Sequence, residues 1–170
     1  MLTATGRQYW PLDPRPEDVE LVHIATALGK ECRYNGSCRG FYSVAEHSVL
    51  VSLVVPPEHA LQGLLHDAPE AYVKDITRPV KRGLGKAYAD IEDLNWLAIA
   101  SHFGISPVMH SSVKAADDAV LMAERDQIMP QGGPQWAVDA QPAKVRIFGL
   151  EWPSARDAFI KRFMQLTRPQ

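Results

Sequence analysis

Apolar residues recur at helical spacing along most of the chain, whereas the alternation typical of strands is weak. Helices are predicted over residues 16–30, 43–55, 57–68, 87–104, 106–129 and 153–166. Cap signals support two of the starts, since Ser43 and Glu46 have capping-box spacing and Ser106-Pro107 is a good cap and first-turn pair. Strand-like character is confined to 144–150. The pattern predicts an all-α bundle of about five or six helices.

The composition is that of a soluble globular chain. Its 170 residues are 46% hydrophobic and 22% charged, with a formal net charge of −2. We expect a single domain over residues 1–170, in which 130–144 is one long Pro/Gly-rich loop. No basic stripe favours a nucleic-acid polymer, and no apolar run is long enough to span a membrane. With no signal-peptide layout and only Cys32 and Cys38, which do not make a disulfide framework, a cytoplasmic protein is expected.

Residues 64–75, with the sequence LLHDAPEAYVKD, pass from an apolar helix directly into ionisable side chains. Buried ionisable groups are costly unless they are paired or bind a metal. Pro69 cannot donate a helical backbone hydrogen bond, so the helix is expected to loosen there and to let His66 and Asp67 converge. Glu70 is close enough along the chain to lie over the same spot. The alternative is a helix that simply reaches the surface at His66.

Two further candidate ligands lie on other predicted helices. His47 follows the capping box, inside a helix that is otherwise apolar. Asp117 and Asp118 are adjacent, so helical periodicity separates their faces. Asp117 shares the more apolar face, where an unpaired charge would be costly, whereas Asp118 has Lys114 at helical spacing and is predicted to be a solvated pair. His59, on the same helix face as the His-Asp doublet, is the rival ligand.

The order of the segments AEHS, LLHDAPEAY and VKAADDAVL resembles the HD-domain superfamily of metal-dependent phosphohydrolases. Members have a histidine, a His-Asp doublet on the next helix and a distant aspartate on a later helix. The resemblance covers residues 30–130 and is closest to the small 5′-deoxynucleotidase branch and its phage-associated relatives. The further positions that match this branch are Glu70, Asp75, Pro79-Val80-Lys81 and Arg33-Tyr34. The branch usually has Trp where this chain has Tyr34.

This resemblance implies hydrolysis of the phosphate ester of a small nucleotide, with a deoxynucleoside 5′-monophosphate as the leading substrate. The alternatives are a triphosphate or an alarmone as substrate, and a nucleotide sensor that keeps the metal with little turnover. One divalent transition-metal ion (Mn, Co, Fe, Ni or Zn) is implied, because a mixed nitrogen and oxygen ligand set suits these ions. Its implied ligands are His47, His66, Asp67 and Asp117. Close relatives are homodimers, and the apolar positions of this chain allow a homodimer.

Catalytic roles are predicted for two carboxylates. Phosphate-ester hydrolysis needs a nucleophile at neutral pH and neutralisation of phosphoryl charge, and a divalent ion supplies both. Glu70 is near enough to the doublet to orient or deprotonate the attacking water. For Asp75 the resemblance favours a catalytic role, as proton acceptor or as hydrogen-bond partner of the leaving sugar oxygen. The alternative for Asp75 is a helix N-cap.

Substrate contacts are predicted on two segments. Arg33 can bind phosphate bidentately through its planar guanidinium. Arg78 and Lys81 are further cations for the same task, and Tyr34 is implied by the resemblance as a substrate contact. The alternative for Arg33 is an ordinary surface arginine.

Overall fold

The computed structural model describes residues 1–133 and 136–168, and helices dominate it. The helices are α1 (Leu21–Lys30), α2 (Val44–Val54), α3 (Ala60–Leu65), α4 (Glu70–Val73), α5 (Arg78–Leu84), α6 (Lys86–Phe103), α7 (Ser111–Ile128) and α8 (Trp152–Thr167). Within these residues β pairing is limited to isolated bridges, one of them between Cys32 and Ser43. The predicted all-α class is therefore confirmed. None of the described helices combines the length and the apolar content needed to cross a lipid bilayer.

Helix α2 lies at the centre of the bundle, where it contacts α1, α3, α7 and α8. Because neighbours enclose it, α2 buries apolar residues such as Val44, Ala45 and Val51 together with the polar His47. Helix α8 packs over α1, α2 and α3 and buries Phe159 completely. The imidazole of His47 on α2 is thereby removed from water, so it needs a partner inside the protein.

Helix α7 begins later than the sequence predicts. His110 caps it, with Nδ1 accepting a hydrogen bond from the backbone N–H of Ser112 at 3.3 Å. The carbonyl oxygen of Ser106 instead accepts from Nε2 of Gln62 on α3 at 3.1 Å. A tertiary contact to α3 thus holds the segment that the local Ser-Pro signal assigns to a helix. The sequence does not predict α5, because no apolar periodicity marks it. In the structure none of its residues is buried.

The segment with strand-like character forms no strand in the part of the chain that the structure describes. Glu46 of α2 binds it instead. Its carboxylate accepts hydrogen bonds from the backbone N–H groups of Phe148 at 2.7 Å, Gly149 at 3.3 Å and Leu150 at 2.7 Å. Only half of the predicted capping box therefore forms, with Oγ of Ser43 accepting the N–H of Glu46 at 3.1 Å. The chain leading into α8 is anchored to the central helix.

Candidate metal centre

Three helices bring the four predicted metal ligands to one place. His47 lies in the first turns of α2, His66 and Asp67 directly follow α3, and Asp117 lies within α7. Nε2 of His47 is 3.6 Å from Oδ2 of Asp67 and 3.3 Å from Oδ1 of Asp117. Nε2 of His66 is 3.3 Å from Oδ1 of Asp67. Donor atoms of His47, His66 and Asp67 all lie within 4.8 Å of one another, a spacing that can hold a metal ion. Asp117 is not part of this three-residue group and adjoins it through its contact with Nε2 of His47.

A tight turn between α3 and α4 lets the His-Asp doublet converge. The backbone N–H of Ala68 donates to the carbonyl of Leu65 at 2.9 Å, and that of Glu70 donates to the carbonyl of Asp67 at 3.0 Å. These bonds span three residues instead of four, because Pro69 interrupts the α-helical ladder. The break occurs where the sequence predicts it, and it brings two adjacent side chains to the same spot.

Hydrogen bonds determine which nitrogen of each histidine faces the cluster. His47 donates from Nδ1 to Oε1 of Glu124 at 2.6 Å, and His66 donates from Nδ1 to the carbonyl of Gly63 at 2.8 Å. Both Nε2 atoms are buried and have no hydrogen-bond partner among the described residues. Buried polar atoms are normally paired, and an imidazole anchored through its other nitrogen is the usual form of a metal ligand. These residues therefore fit a metal ion.

Carboxylates set the electrostatics of the cluster. Burial and the charge of Arg33 lower the pKa of His47, but the carboxylates of Glu124 and Asp117 outweigh them and raise this pKa to about 9. Burial opposes ionisation of Asp117, but its contact with His47 outweighs burial and lowers the pKa of this carboxyl well below its usual range. The carboxylates around Nε2 of His47 therefore favour a positive charge at this place, and a divalent cation would supply it.

The two predicted catalytic carboxylates lie within electrostatic reach of each other, and Glu70 is also within reach of Asp67. Glu70 begins α4 and is buried, with Oε1 3.5 Å from Nζ of Lys81 and Oε2 without a hydrogen-bond partner in residues 1–133 and 136–168. Burial and the charges of Asp67 and Asp75 raise the pKa of Glu70 well above its usual range. Asp75 is half-buried. The N-cap residue of α5 is Thr77, so the N-cap alternative for Asp75 is wrong.

Arg33 and Tyr34 point into the protein. Arg33 is only 9% exposed, so the surface alternative is wrong. Its Nη1 lies 3.3 Å from Oδ2 of Asp67, and its Nη2 lies 3.5 Å from Oε2 of Glu124. The hydroxyl of Tyr34 donates to Glu124, and its ring lies 5.8 Å from the ring of Trp136. Both residues are therefore engaged with groups around the cluster.

The other two predicted substrate contacts are more exposed. The side chain of Arg78 is 55% exposed, and its Nη2 lies 3.8 Å from Oδ2 of Asp117 and 3.7 Å from Oδ1 of Asp118. Nζ of Lys81 donates to Oε1 of Glu92 at 2.7 Å. The positively charged side chains of Arg78 and Lys81 thus lie on the solvent side of the carboxylates that they contact.

The rival ligand His59 lies outside the cluster. At the start of α3 its ring stacks on that of His110, with centroids 3.8 Å apart. His23 and His102 make hydrogen bonds to backbone groups near the N-terminus. These histidines therefore stack on another ring or form hydrogen bonds with backbone groups.

Sequence reasoning assigned no role to Glu124, which is completely buried beside the cluster. It lies two helical turns after Asp117 on the same face of α7, and that spacing is the signal that marks it. Its partners come from distant segments, since Tyr34, Tyr42 and His47 are 90, 82 and 77 residues away along the chain. Helical spacing alone cannot identify such partners.

Two bacterial proteins are similar to the chain over nearly its whole length. It is 36% identical over 168 residues to the uncharacterized protein YfdR of Escherichia coli strain K12, which covers 97% of this chain and 94% of YfdR. It is 35% identical over 185 aligned positions to the uncharacterized protein RCAP_rcc00048 of Rhodobacter capsulatus, with 96% and 93% covered. The chain belongs to the family of these two proteins. No family model matches it.

Asp117→Asn is expected to weaken metal binding, whereas Asp118→Asn is expected to leave it unchanged. Asp117 contacts the imidazole of His47, while Asp118 pairs with Lys114 and Arg78. Asn keeps the size of Asp but loses its charge, so the loss at Asp117 should exceed the roughly 10–100-fold that removal of an outer hydrogen-bond partner costs. Titration of the metal-free variants with divalent ions measures this difference.

Equal losses in the two variants, or a larger loss in Asp118→Asn, would contradict the assignment of Asp117. The pair of Asp118 with Lys114 forms as the sequence predicts, but Asp118 is half-buried rather than fully solvated, and Lys114 contacts Asp117 as well.

Proposed function

We propose that the protein is a metal-dependent phosphohydrolase of small nucleotides, with a deoxynucleoside 5′-monophosphate as its substrate. The observation that carries the proposal is the convergence of Nε2 of His47 and of His66 with the carboxylates of Asp67 and Asp117, since neither Nε2 atom has a hydrogen-bond partner in the described part of the chain. Two imidazoles and two carboxylates from three helices are the ligand set that the HD-domain resemblance implies. On the same grounds we propose that the chain is a member of that superfamily.

His47, His66, Asp67 and Asp117 would hold one divalent ion. Their mixed nitrogen and oxygen atoms suit Mn, Co, Fe, Ni or Zn better than Mg or Ca. When bound, such an ion acts as a Lewis acid toward a phosphoryl oxygen and lowers the pKa of water. The side chains of Asp67 and Asp117 are 19% and 16% exposed, so a substrate can approach the ligand set from their side.

Glu70 is the proposed proton acceptor for the attacking water. Its Oε2 is buried and unpartnered among the described residues, and burial together with Asp67 and Asp75 raises its pKa. A raised pKa makes a carboxylate a stronger base, so it is better suited to taking up a proton. The positive charges of Arg33 and Lys81 oppose this rise. Asp75 is proposed to hydrogen-bond the leaving sugar oxygen.

Arg78 is the proposed phosphate ligand among the basic residues. Its guanidinium is half exposed beside Asp117, and guanidinium groups bind phosphate through paired hydrogen bonds. Arg33 differs, because both of its terminal nitrogens already face Asp67 and Glu124. Its positive charge therefore compensates buried carboxylates from inside the protein, and Lys81 does the same for Glu70 from the solvent side.

Protein purified without chelator is expected to carry a transition metal and to release phosphate from deoxynucleoside 5′-monophosphates. Elemental analysis tests the first point. A phosphate-release screen with added Mn, Co, Fe, Ni or Zn tests the second, with ribonucleotides, triphosphates and alarmones in parallel. Release from triphosphates or alarmones alone would change the substrate class. Metal and nucleotide binding without turnover would favour the sensor, and a chain that binds no metal would contradict the proposal.

A further inference from the structure

One carboxylate, that of Glu124, contacts both the metal-ligand helix α2 and the segment that carries Arg33. Its Oε1 accepts hydrogen bonds from Nδ1 of His47 at 2.6 Å and from the hydroxyl of Tyr42 at 2.7 Å. Its Oε2 accepts a hydrogen bond from the hydroxyl of Tyr34 and lies 3.5 Å from Nη2 of Arg33. The two oxygens therefore serve two different parts of the candidate site.

The four groups around Glu124 all suit a carboxylate. Three of them donate hydrogen bonds, from His47, Tyr42 and Tyr34, and the fourth is the guanidinium of Arg33. The side chain is completely buried, so its four contacts take the place of water. An ionised carboxylate in this position attracts the Nδ1 proton of His47 and directs Nε2 toward the cluster.

The segment on the other side of Glu124 has a strained backbone. Tyr34 has φ 56° and ψ 28°, and Asn35 has φ 51° and ψ 34°, a left-handed conformation that non-glycine residues rarely adopt. Such a conformation persists only where surrounding contacts hold it. The hydroxyl contact of Tyr34 with Glu124 is one such contact, and the neighbouring Arg33 lies beside Asp67.

We infer that Glu124 positions two parts of the site at once, with Oε1 holding the metal-ligand imidazole of His47 and Oε2 holding the Arg33–Tyr34 segment beside Asp67. The metal half of this inference rests on the proposed function. Glu124 itself touches neither metal nor substrate in this arrangement, so it is a positioning residue.

Glu124→Gln is expected to weaken metal binding by about 10–100-fold, the range for loss of an outer partner of a metal ligand. In the metal-free protein it is also expected to speed amide hydrogen exchange in residues 33–37. Tyr34→Phe removes a contact to Oε2 only, so it should speed exchange in that segment and leave metal affinity unchanged. Asp118→Asn is the matched control, since it removes one negative charge from the same helix without touching His47, and both quantities should stay at wild-type values.

Metal titration, by competition with a chromogenic chelator, and hydrogen exchange followed by mass spectrometry give the two readouts. Glu124→Gln values equal to those of the control would overturn the inference, and so would faster exchange spread evenly over all helices, because that is the mark of a purely structural role. If Glu124→Gln does not fold, Tyr34→Phe decides, and unchanged exchange in residues 33–37 overturns the inference. A wild type that binds no ion overturns both proposals, whereas one that binds the ion without turnover refutes only the hydrolase and leaves Glu124 testable.

Discussion

Glu70→Gln is expected to slow phosphate release from deoxynucleoside 5′-monophosphates by about 10²–10⁴-fold, the usual contribution of a positioned general base. Metal content and nucleotide binding should stay at wild-type values, because Glu70 is not one of the four converging ligands. Gln keeps the size of Glu and its contact with Lys81 but cannot accept a proton at neutral pH. Residual turnover is expected, since bound metal still lowers the pKa of water. Phosphate release at saturating metal, with metal titration of the same variant, measures both effects.

Glu92→Gln is the matched control for this experiment. Glu92 also binds Lys81, at 2.7 Å, so the control makes the same chemical change at another partner of that lysine. Turnover in this control should stay close to that of the wild type. Wild-type turnover in Glu70→Gln would refute the catalytic role and transfer it to Asp75. A weakened metal affinity in Glu70→Gln would instead show that Glu70 supports the metal ligands.

The double variant His66→Ala, Asp67→Ala is expected to lose its bound metal and, with it, phosphate release. It removes two of the four converging ligands, and those that remain, His47 and Asp117, lie on separate helices. The fold should persist, because both substituted side chains lie in the turn after α3 and neither belongs to the apolar core. Elemental analysis of protein purified without chelator gives the metal content, and circular dichroism checks the helices.

A second double variant, His59→Ala, Asp118→Ala, controls for the loss of one imidazole and one carboxylate outside the ligand set. His59 stacks on His110, and Asp118 pairs with Lys114, so this variant should keep its metal. Ordinary metal content in the His66, Asp67 variant would refute the proposed centre. Metal loss in the control alone would indicate that the ion binds near His59.

Features that depend on neighbours along the chain could be predicted from the sequence. Helical periodicity marked five of the longer helices, and the all-α class follows from it. The break at Pro69 was predictable because a missing N–H acts on its own helix. The choice of Asp117 over Asp118 for the face toward His47 was predictable because helical phase is also local. The four candidate ligands were named from residue types and their order, and the structure brings these four together.

Features that depend on distant segments were decided by the tertiary structure. Glu46 has capping-box spacing, yet its carboxylate binds backbone N–H groups 102 to 104 residues away, because packing of the C-terminal segment on α2 leaves those groups without another acceptor in the described structure. The sequence predicts Arg33 as a phosphate contact, with a surface arginine as the alternative, but in the structure it is buried and its guanidinium faces two carboxylates from other elements. Glu124 reaches His47 only when α2 and α7 meet. Spacing along one helix determines the face on which a side chain lies. Helix packing determines which groups that face contacts, and therefore which charges are compensated.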